Sequence, residues 1–83
     1  MTVRAYILIE SDVGTARAVH NGLRRLAVAD AKVLSAETVT GPFDVIALLE
    51  SDDLDRLGWA VSEGIQHLHG VERTTTCLMI ELG

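Results

Sequence analysis

Alternating apolar positions make residues 3–10 (VRAYILIE) the clearest strand of the chain. The odd positions from Val3 to Ile9 are aliphatic, and Tyr6 and Leu8 supply the opposite side. Successive strand side chains point to opposite faces, so both faces of this strand are largely apolar. Such a pattern is typical of a strand that is covered on both sides.

The remaining periodic segments predict one element order, βαββαβ. Apolar residues at helical spacing predict a helix over 13–27, with Ser11 and Asp12 as N-cap candidates. A second helix is predicted to open at Ser51–Asp53 and to close at Gly70. The predicted strands that complete the order are 32–40, an edge strand, 45–50, a central strand, and 71–82.

The sequence therefore predicts an α+β fold, a ferredoxin-like βαββαβ sandwich with a four-stranded antiparallel sheet. Right-handed crossovers would place both helices on one face of that sheet. The other face, with Tyr6 and Leu8, has no helix left to cover it. We expect a second copy to cover it, so that the chain dimerises through the sheet.

Length and composition strengthen the expectation of an oligomer. The 83 residues allow a single domain, 1–83, and 48% of them are hydrophobic. A chain this short buries only about 60% of its unfolded surface, so small domains need disulfides, metals or oligomerisation. The single cysteine, Cys77, excludes an intrachain disulfide, and no Cys/His cluster suggests zinc. Oligomerisation is therefore the remaining way to stabilise a domain of this size.

The net charge of −5 argues against direct binding of nucleic acid, which requires a basic stripe. The longest apolar runs are far shorter than the roughly 20 residues that span a membrane. The chain shows no secretion signal at its N-terminus. These features predict a cytoplasmic protein without nucleic-acid or membrane partners.

Two segments carry candidate binding chemistry. The Gly41-Pro42-Phe43-Asp44 turn offers backbone N–H groups and one carboxylate, which together suit a ligand with an amino and a carboxylate group. An equally simple interpretation is a hairpin turn whose Asp accepts backbone N–H groups. The hydroxyls of residues 74–76 would suit a small polar ligand, although threonine also simply favours strands.

The other residues with reactive side chains are better explained by structural roles than by metal binding or catalysis. His67 and His69 end a predicted helix, where the dipole favours them, and no third metal ligand lies nearby. Cys77 has no sequence cue for a partnering base and is predicted to be a buried structural cysteine. We therefore predict no catalytic residue, metal or cofactor.

The element order and several motifs resemble one known family, the ligand-binding (RAM) domain of the Lrp/AsnC, or feast/famine, transcription regulators. The Gly41–Asp44 turn matches the family's Gly-x-Tyr/Phe-Asp motif before an aliphatic strand. The end of the family's pattern covers the late second helix and the last strand. It is matched here by Ile65-Gln66, Gly70-Val71 and Thr74–Thr76. The resemblance covers essentially the whole chain.

The resemblance implies a dimer that assembles into an octamer or a larger ring and binds an amino-acid effector between dimers. By position, the effector-binding residues would be Gly41, Phe43 and Asp44, together with Thr74 and Thr76. Full-length regulators of the family carry a helix-turn-helix domain before this one, whereas the present sequence opens with the first strand. We therefore expect a stand-alone module that co-assembles with such regulators. The alternatives are a small ferredoxin-like enzyme, similar to cofactor-free monooxygenases, with Trp59 in a pocket, or a purely structural oligomer.

Overall fold

The computed structural model describes residues 2–26 and 31–82 and has the predicted element order. The four strands form one antiparallel sheet in the order β2-β3-β1-β4. The fold is ferredoxin-like, as predicted, with β2 at an edge and β3 in the centre. The elements are β1 (Val3–Ser11), α1 (Ala16–Arg25), β2 (Lys32–Thr38), β3 (Val45–Ser51), α2 (Leu54–Glu63), a short 3-10 helix (Ile65–His67) and β4 (Val71–Leu78).

The core lies entirely on the side of the sheet that the helices cover. The odd positions of β1 are fully buried there, as the alternating pattern predicts. Val19 and Leu23 of α1 and Leu57 of α2 pack against them. The opposite side of the sheet, called here the open face, carries Tyr6, Leu8, Ile46, Leu48 and Cys77.

The predicted start of the first helix was wrong. α1 begins at Ala16, and Val13 is fully exposed instead of contributing to the helix stripe. Thr15 is at the N-cap position and makes no side-chain cap hydrogen bond. Backbone hydrogen bonds hold the proposed caps outside the helix, since Ser11 N–H donates to the Asp44 carboxylate and Asp12 N–H donates to Gly70 O. β1 thus continues through Ser11, and the predicted helix end at residue 27 lies outside the described residues.

The second helix also ends earlier than predicted. α2 stops at Glu63, and a 3-10 turn over Ile65–His67 carries the chain toward Gly70. Gly64 has the low helix propensity that favours such a break. Gly70 has φ +94°, a value that favours glycine, and it turns the chain into β4.

Cys77 is exposed, which corrects the prediction that it is buried. The register pairs Cys77 with Tyr6, so its side chain lies on the open face. The predicted last strand is also too long: β4 ends at Leu78, although Met79 N–H still donates to Arg4 O at 2.9 Å. β1 begins at Val3, which corresponds to Ile80 in this register, so the residues after Ile80 have no β1 residue opposite them.

Asp53 is the N-cap of α2, and its loss should destabilise the protein. Its Oδ1 accepts a hydrogen bond from Arg56 N–H at 2.8 Å, satisfying one of the free donors of the first turn. We expect Asp53→Ala to lower the free energy of unfolding by about 1 kcal/mol in urea denaturation. Asp53→Asn is the matched control and should stay near wild type, since asparagine caps equally well. Equal losses in both variants would show that the negative charge, rather than the cap, matters.

Candidate functional site

The Gly41–Asp44 turn is a closed loop between β2 and β3. Val39 N–H donates to Asp44 O at 2.9 Å and closes it. Gly41 is exposed and has φ +118°, so a residue with a side chain would be strained there. Phe43 is half-buried. The turn therefore has a defined shape that the β2–β3 hairpin holds.

Asp44 ties this turn to the end of β1. Its Oδ2 accepts a hydrogen bond from Ser11 N–H at 2.8 Å, and its own N–H donates to Ile9 O at 2.9 Å. Oδ1 makes no hydrogen bond to any residue that the structure describes. One carboxylate oxygen thus performs the structural role considered from the sequence, and the other has no hydrogen-bond partner among the described residues.

The two candidate threonines differ in their surroundings. Thr74 is half-buried, and its hydroxyl accepts a hydrogen bond from Gln66 Nε2 at 2.9 Å. Thr76 lies two residues further along β4 and is exposed. The sequence placed Gln66 in a family motif but not in the site. Its contact with Thr74 joins the 3-10 turn to β4, and residue spacing along the chain did not reveal it.

The structure brings the turn and Thr74 to the same end of the sheet but not into contact. Thr74 pairs with Ile9, the residue whose carbonyl accepts the Asp44 N–H. They flank β1 on opposite sides, so two strand spacings, roughly 10 Å, separate them. Within one chain, β1 therefore lies between Asp44 and Thr74.

A shallow recess lies beside Thr74. Its lining consists of Gln66 and the first residues of β4, Val71, Glu72, Arg73 and Thr74, and its volume is about 280 Å³. A larger cavity of about 600 Å³ lies between α1 and β2, where the His20 imidazole Nε2 is 3.0 Å from Ala36 O. The larger cavity contains none of the predicted site residues. Its size therefore does not identify it as the site.

The histidines and acidic residues provide no metal centre in residues 2–26 and 31–82. His67 Nε2 lies 3.8 Å from a carboxylate oxygen of Glu63, and both side chains are exposed. In the same residues no helix is long and apolar enough to cross a membrane.

Solved structures of other proteins share the fold. TTHA0845 of Thermus thermophilus is 31% identical, with a TM-score of 0.83 over 98% of this chain and 96% of that one. The transcriptional regulator NMB0573 of Neisseria meningitidis, solved in complex with L-Met, is 20% identical with a TM-score of 0.79. AsnC of E. coli is 18% identical with a TM-score of 0.81. These matches cover 96% and 95% of this chain but 51% of each regulator.

A family model gives the assignment. The model of the Lrp/AsnC ligand binding domain matches residues 4–82, which is nearly the whole chain. No curated protein matches the sequence. The chain belongs to the Lrp/AsnC ligand-binding-domain family, whose known members include transcription regulators.

Proposed function

We propose that this chain is an oligomeric, amino-acid-responsive regulatory module. The family match over residues 4–82 carries the proposal. The free Oδ1 of Asp44, at a turn held rigidly against β1, supports it because such a carboxylate suits a ligand ammonium group. We further propose that the module acts in the cytoplasm through full-length Lrp/AsnC regulators and does not bind nucleic acid itself.

In this proposal the effector lies between protomers. Asp44 binds its ammonium group, and backbone N–H groups of the turn, near Gly41 and Phe43, bind its carboxylate. Thr74 and Thr76 of another protomer form the opposite wall, because the family resemblance implies a cleft between dimers that is lined by the turn and by the start of the last strand. The site is then complete only in the assembly.

The open face supports the first step of that assembly. Leu8, Ile46 and Leu48 are only half-buried in the single chain, and Tyr6 is exposed. Two copies that pack these faces together would remove this apolar surface from water, at about 25 cal/mol per Å². Such dimers would then join into an octamer or a larger ring.

The monooxygenase-like alternative loses its main candidate residue. That hypothesis requires Trp59 in a pocket between sheet and helices. The Trp59 side chain is 60% exposed on α2, so it faces away from the core. We therefore propose a binding protein and not an enzyme.

An amino-acid panel read by thermal shift tests the proposal. A ligand at ten times its Kd that binds only the folded state adds about 1.4 kcal/mol. This corresponds to a Tm increase of roughly 5 °C or more in a domain of this size. We expect at least one of the twenty amino acids to produce it. Methionine is the first choice, given the complex of the Neisseria regulator.

Asp44→Asn should abolish that shift while keeping the fold. Asparagine retains an oxygen that can accept the Ser11 N–H, so the turn stays anchored, but it removes the charge that the ammonium group needs. Asp53→Asn is the matched control, because it removes a carboxylate charge at the start of α2, and its response should be unchanged. No response to any amino acid, or an equal response in Asp44→Asn, would contradict the proposal.

A further inference from the structure

The side of α1 that points away from the sheet is basic. Val19 and Leu23 are buried beneath this helix, and Arg17, Asn21 and Arg25 on its opposite side are exposed. These three residues follow one another at intervals of four and form a single row, called here the α1 stripe. The helix contains arginines and no acidic residue. Neither arginine of the stripe forms an ion pair with another described residue.

The corresponding side of α2 is acidic and carries the single tryptophan of the chain. Asp55, Trp59 and Glu63, called here the α2 stripe, have the same intervals and are exposed, whereas Leu57 and Val61 beneath them are buried. Asp55 has no ion-pair partner within residues 2–26 and 31–82. An exposed tryptophan between two carboxylates suits a cationic partner, because the face of the indole attracts guanidinium groups.

The two stripes lie on one layer, formed by α1 and α2, and run in opposite directions. β1 and β3 are antiparallel, and each is followed by a helix that returns over the same side of the sheet, so α1 and α2 are antiparallel. A two-fold axis parallel to the helices brings α1 of one copy over α2 of another, again antiparallel, and repeats the contact by symmetry. Each stripe covers about 12 Å of helix from its first to its last residue, so the ends coincide.

We propose that two copies of this chain dock through their helical layers, with the α1 stripe of each copy against the α2 stripe of the other. In this register Arg17 lies opposite Glu63, Asn21 opposite Trp59, and Arg25 opposite Asp55. Rows of residues at intervals of four are the ridges that pack together in the commonest class of helix pair. The charges at both ends of the stripes are opposite in sign, and the indole lies between the arginines. The partner at this surface is a second copy of the chain.

Charge and the position of the indole select this arrangement. Docking α1 on α1 and α2 on α2 would oppose arginine to arginine and carboxylate to carboxylate, which is unfavourable. A shift by one helical turn would place Trp59 opposite Arg17 or Arg25 and would leave one charge of each stripe without a partner. The ion pairs lie at the rim and fix the register, whereas the buried tryptophan supplies most of the affinity.

This contact uses neither the open face nor the residues of the proposed effector site. The helical layer and the open face lie on opposite sides of the sheet, so a dimer joined by its open faces still presents both helical layers. Further dimers can then be added layer on layer, because the two contacts do not close on each other. The helical contact does not depend on effector binding.

The fluorescence of Trp59 reports this contact directly, because the chain has no other tryptophan. When the protein concentration is raised at low salt, we expect the emission to move to shorter wavelengths and quenching by acrylamide to weaken. At about 1 M salt, where the Debye length is about 3 Å, the same change should require roughly ten times as much protein. A tryptophan that remains open to quenching at every protein concentration would overturn the proposal.

Charge reversal tests the register. The double variants Arg17→Glu/Arg25→Glu and Asp55→Arg/Glu63→Arg should each lose about a hundredfold or more in affinity, because every pair of opposite charges becomes a pair of like charges. An equimolar mixture should recover the contact, since each α1 stripe of one variant then faces an α2 stripe of opposite charge on the other. The fluorescence change on mixing measures this recovery.

Asp12→Arg is the matched control for a reversed carboxylate. Asp12 is exposed in the loop before α1 and belongs to neither stripe, so this variant should associate like wild type. Far-UV circular dichroism checks that all variants fold. Folded double variants that associate like wild type on their own, or that do not recover the contact when mixed, would refute the helical contact, whatever the thermal-shift panel shows about the effector.

Discussion

Gly70→Ala is expected to lower the free energy of unfolding by roughly 3 kcal/mol, a large part of the stability of a small domain. Gly70 is buried and has φ +94°, which is unfavourable for any residue with a Cβ. A Cβ built there would lie 2.7 Å from both Cβ and Oγ1 of Thr15 and 3.2 Å from a methyl of Val19. Thr15 cannot easily move aside, because its hydroxyl donates to Asp12 O.

Gly58→Ala is the matched control for this prediction. Gly58 lies inside α2, and a Cβ added there meets nothing within 4 Å. Alanine should stabilise the helix by about 0.5–1 kcal/mol. Urea denaturation of both variants measures the two effects with opposite signs. A Gly70→Ala protein as stable as wild type would mean that Thr15 and the α1–β4 junction adapt far more readily than this packing implies.

Leu8→Lys is expected to break the sheet-to-sheet contact and to reduce the number of subunits at least by half. Leu8 lies in the middle of the open face, between Ile46 on β3 and Thr75 on β4. An ammonium group at this position would be buried against a second sheet without a partner, which costs several kcal/mol. At about 1.4 kcal/mol per factor of ten, the affinity between the two sheets should fall more than a hundredfold.

Val13→Lys controls for the added charge. Val13 is fully exposed in the loop before α1 and does not lie on the sheet. Its substitution should leave the subunit number unchanged in native mass spectrometry. If Leu8→Lys assembles like wild type, the open face is not a contact between copies.

The sheet was the most predictable part of the fold. The odd–even pattern of β1 separated its two faces, and the right-handed crossovers of the two helices left one of them open. The start of α1 was not predictable in the same way. Ser11 and Asp12 are good caps in isolation, but hydrogen bonds from their backbone N–H groups to Asp44 and Gly70, which are distant in sequence, hold them before the helix, which begins after Thr15. The local preference of these residues for the N-cap position was overridden by contacts that form only in the folded chain.

In the candidate site, too, local features were predictable and features that depend on distant contacts were not. The Gly41–Asp44 turn was recognisable from its residues, and a local hydrogen bond from Val39 N–H to Asp44 O closes it. The pairing of Gln66 with Thr74, and the separation of Thr74 from Asp44 by β1, depend on strand order. Cys77 was misplaced because a mid-strand cysteine is usually buried, whereas here its parity puts it on the open face.

The one-sided core has a consequence for how the protein behaves when diluted. In residues 2–26 and 31–82 the fully buried apolar side chains lie under the two helices, so the half-buried open face contributes less to the stability of a lone chain. If the open face binds a second copy, part of the folding free energy is supplied by mass action. The melting temperature would then rise with the amount of protein in solution. At low protein concentration a larger fraction of the module would be unfolded, so its stability would depend on its own concentration.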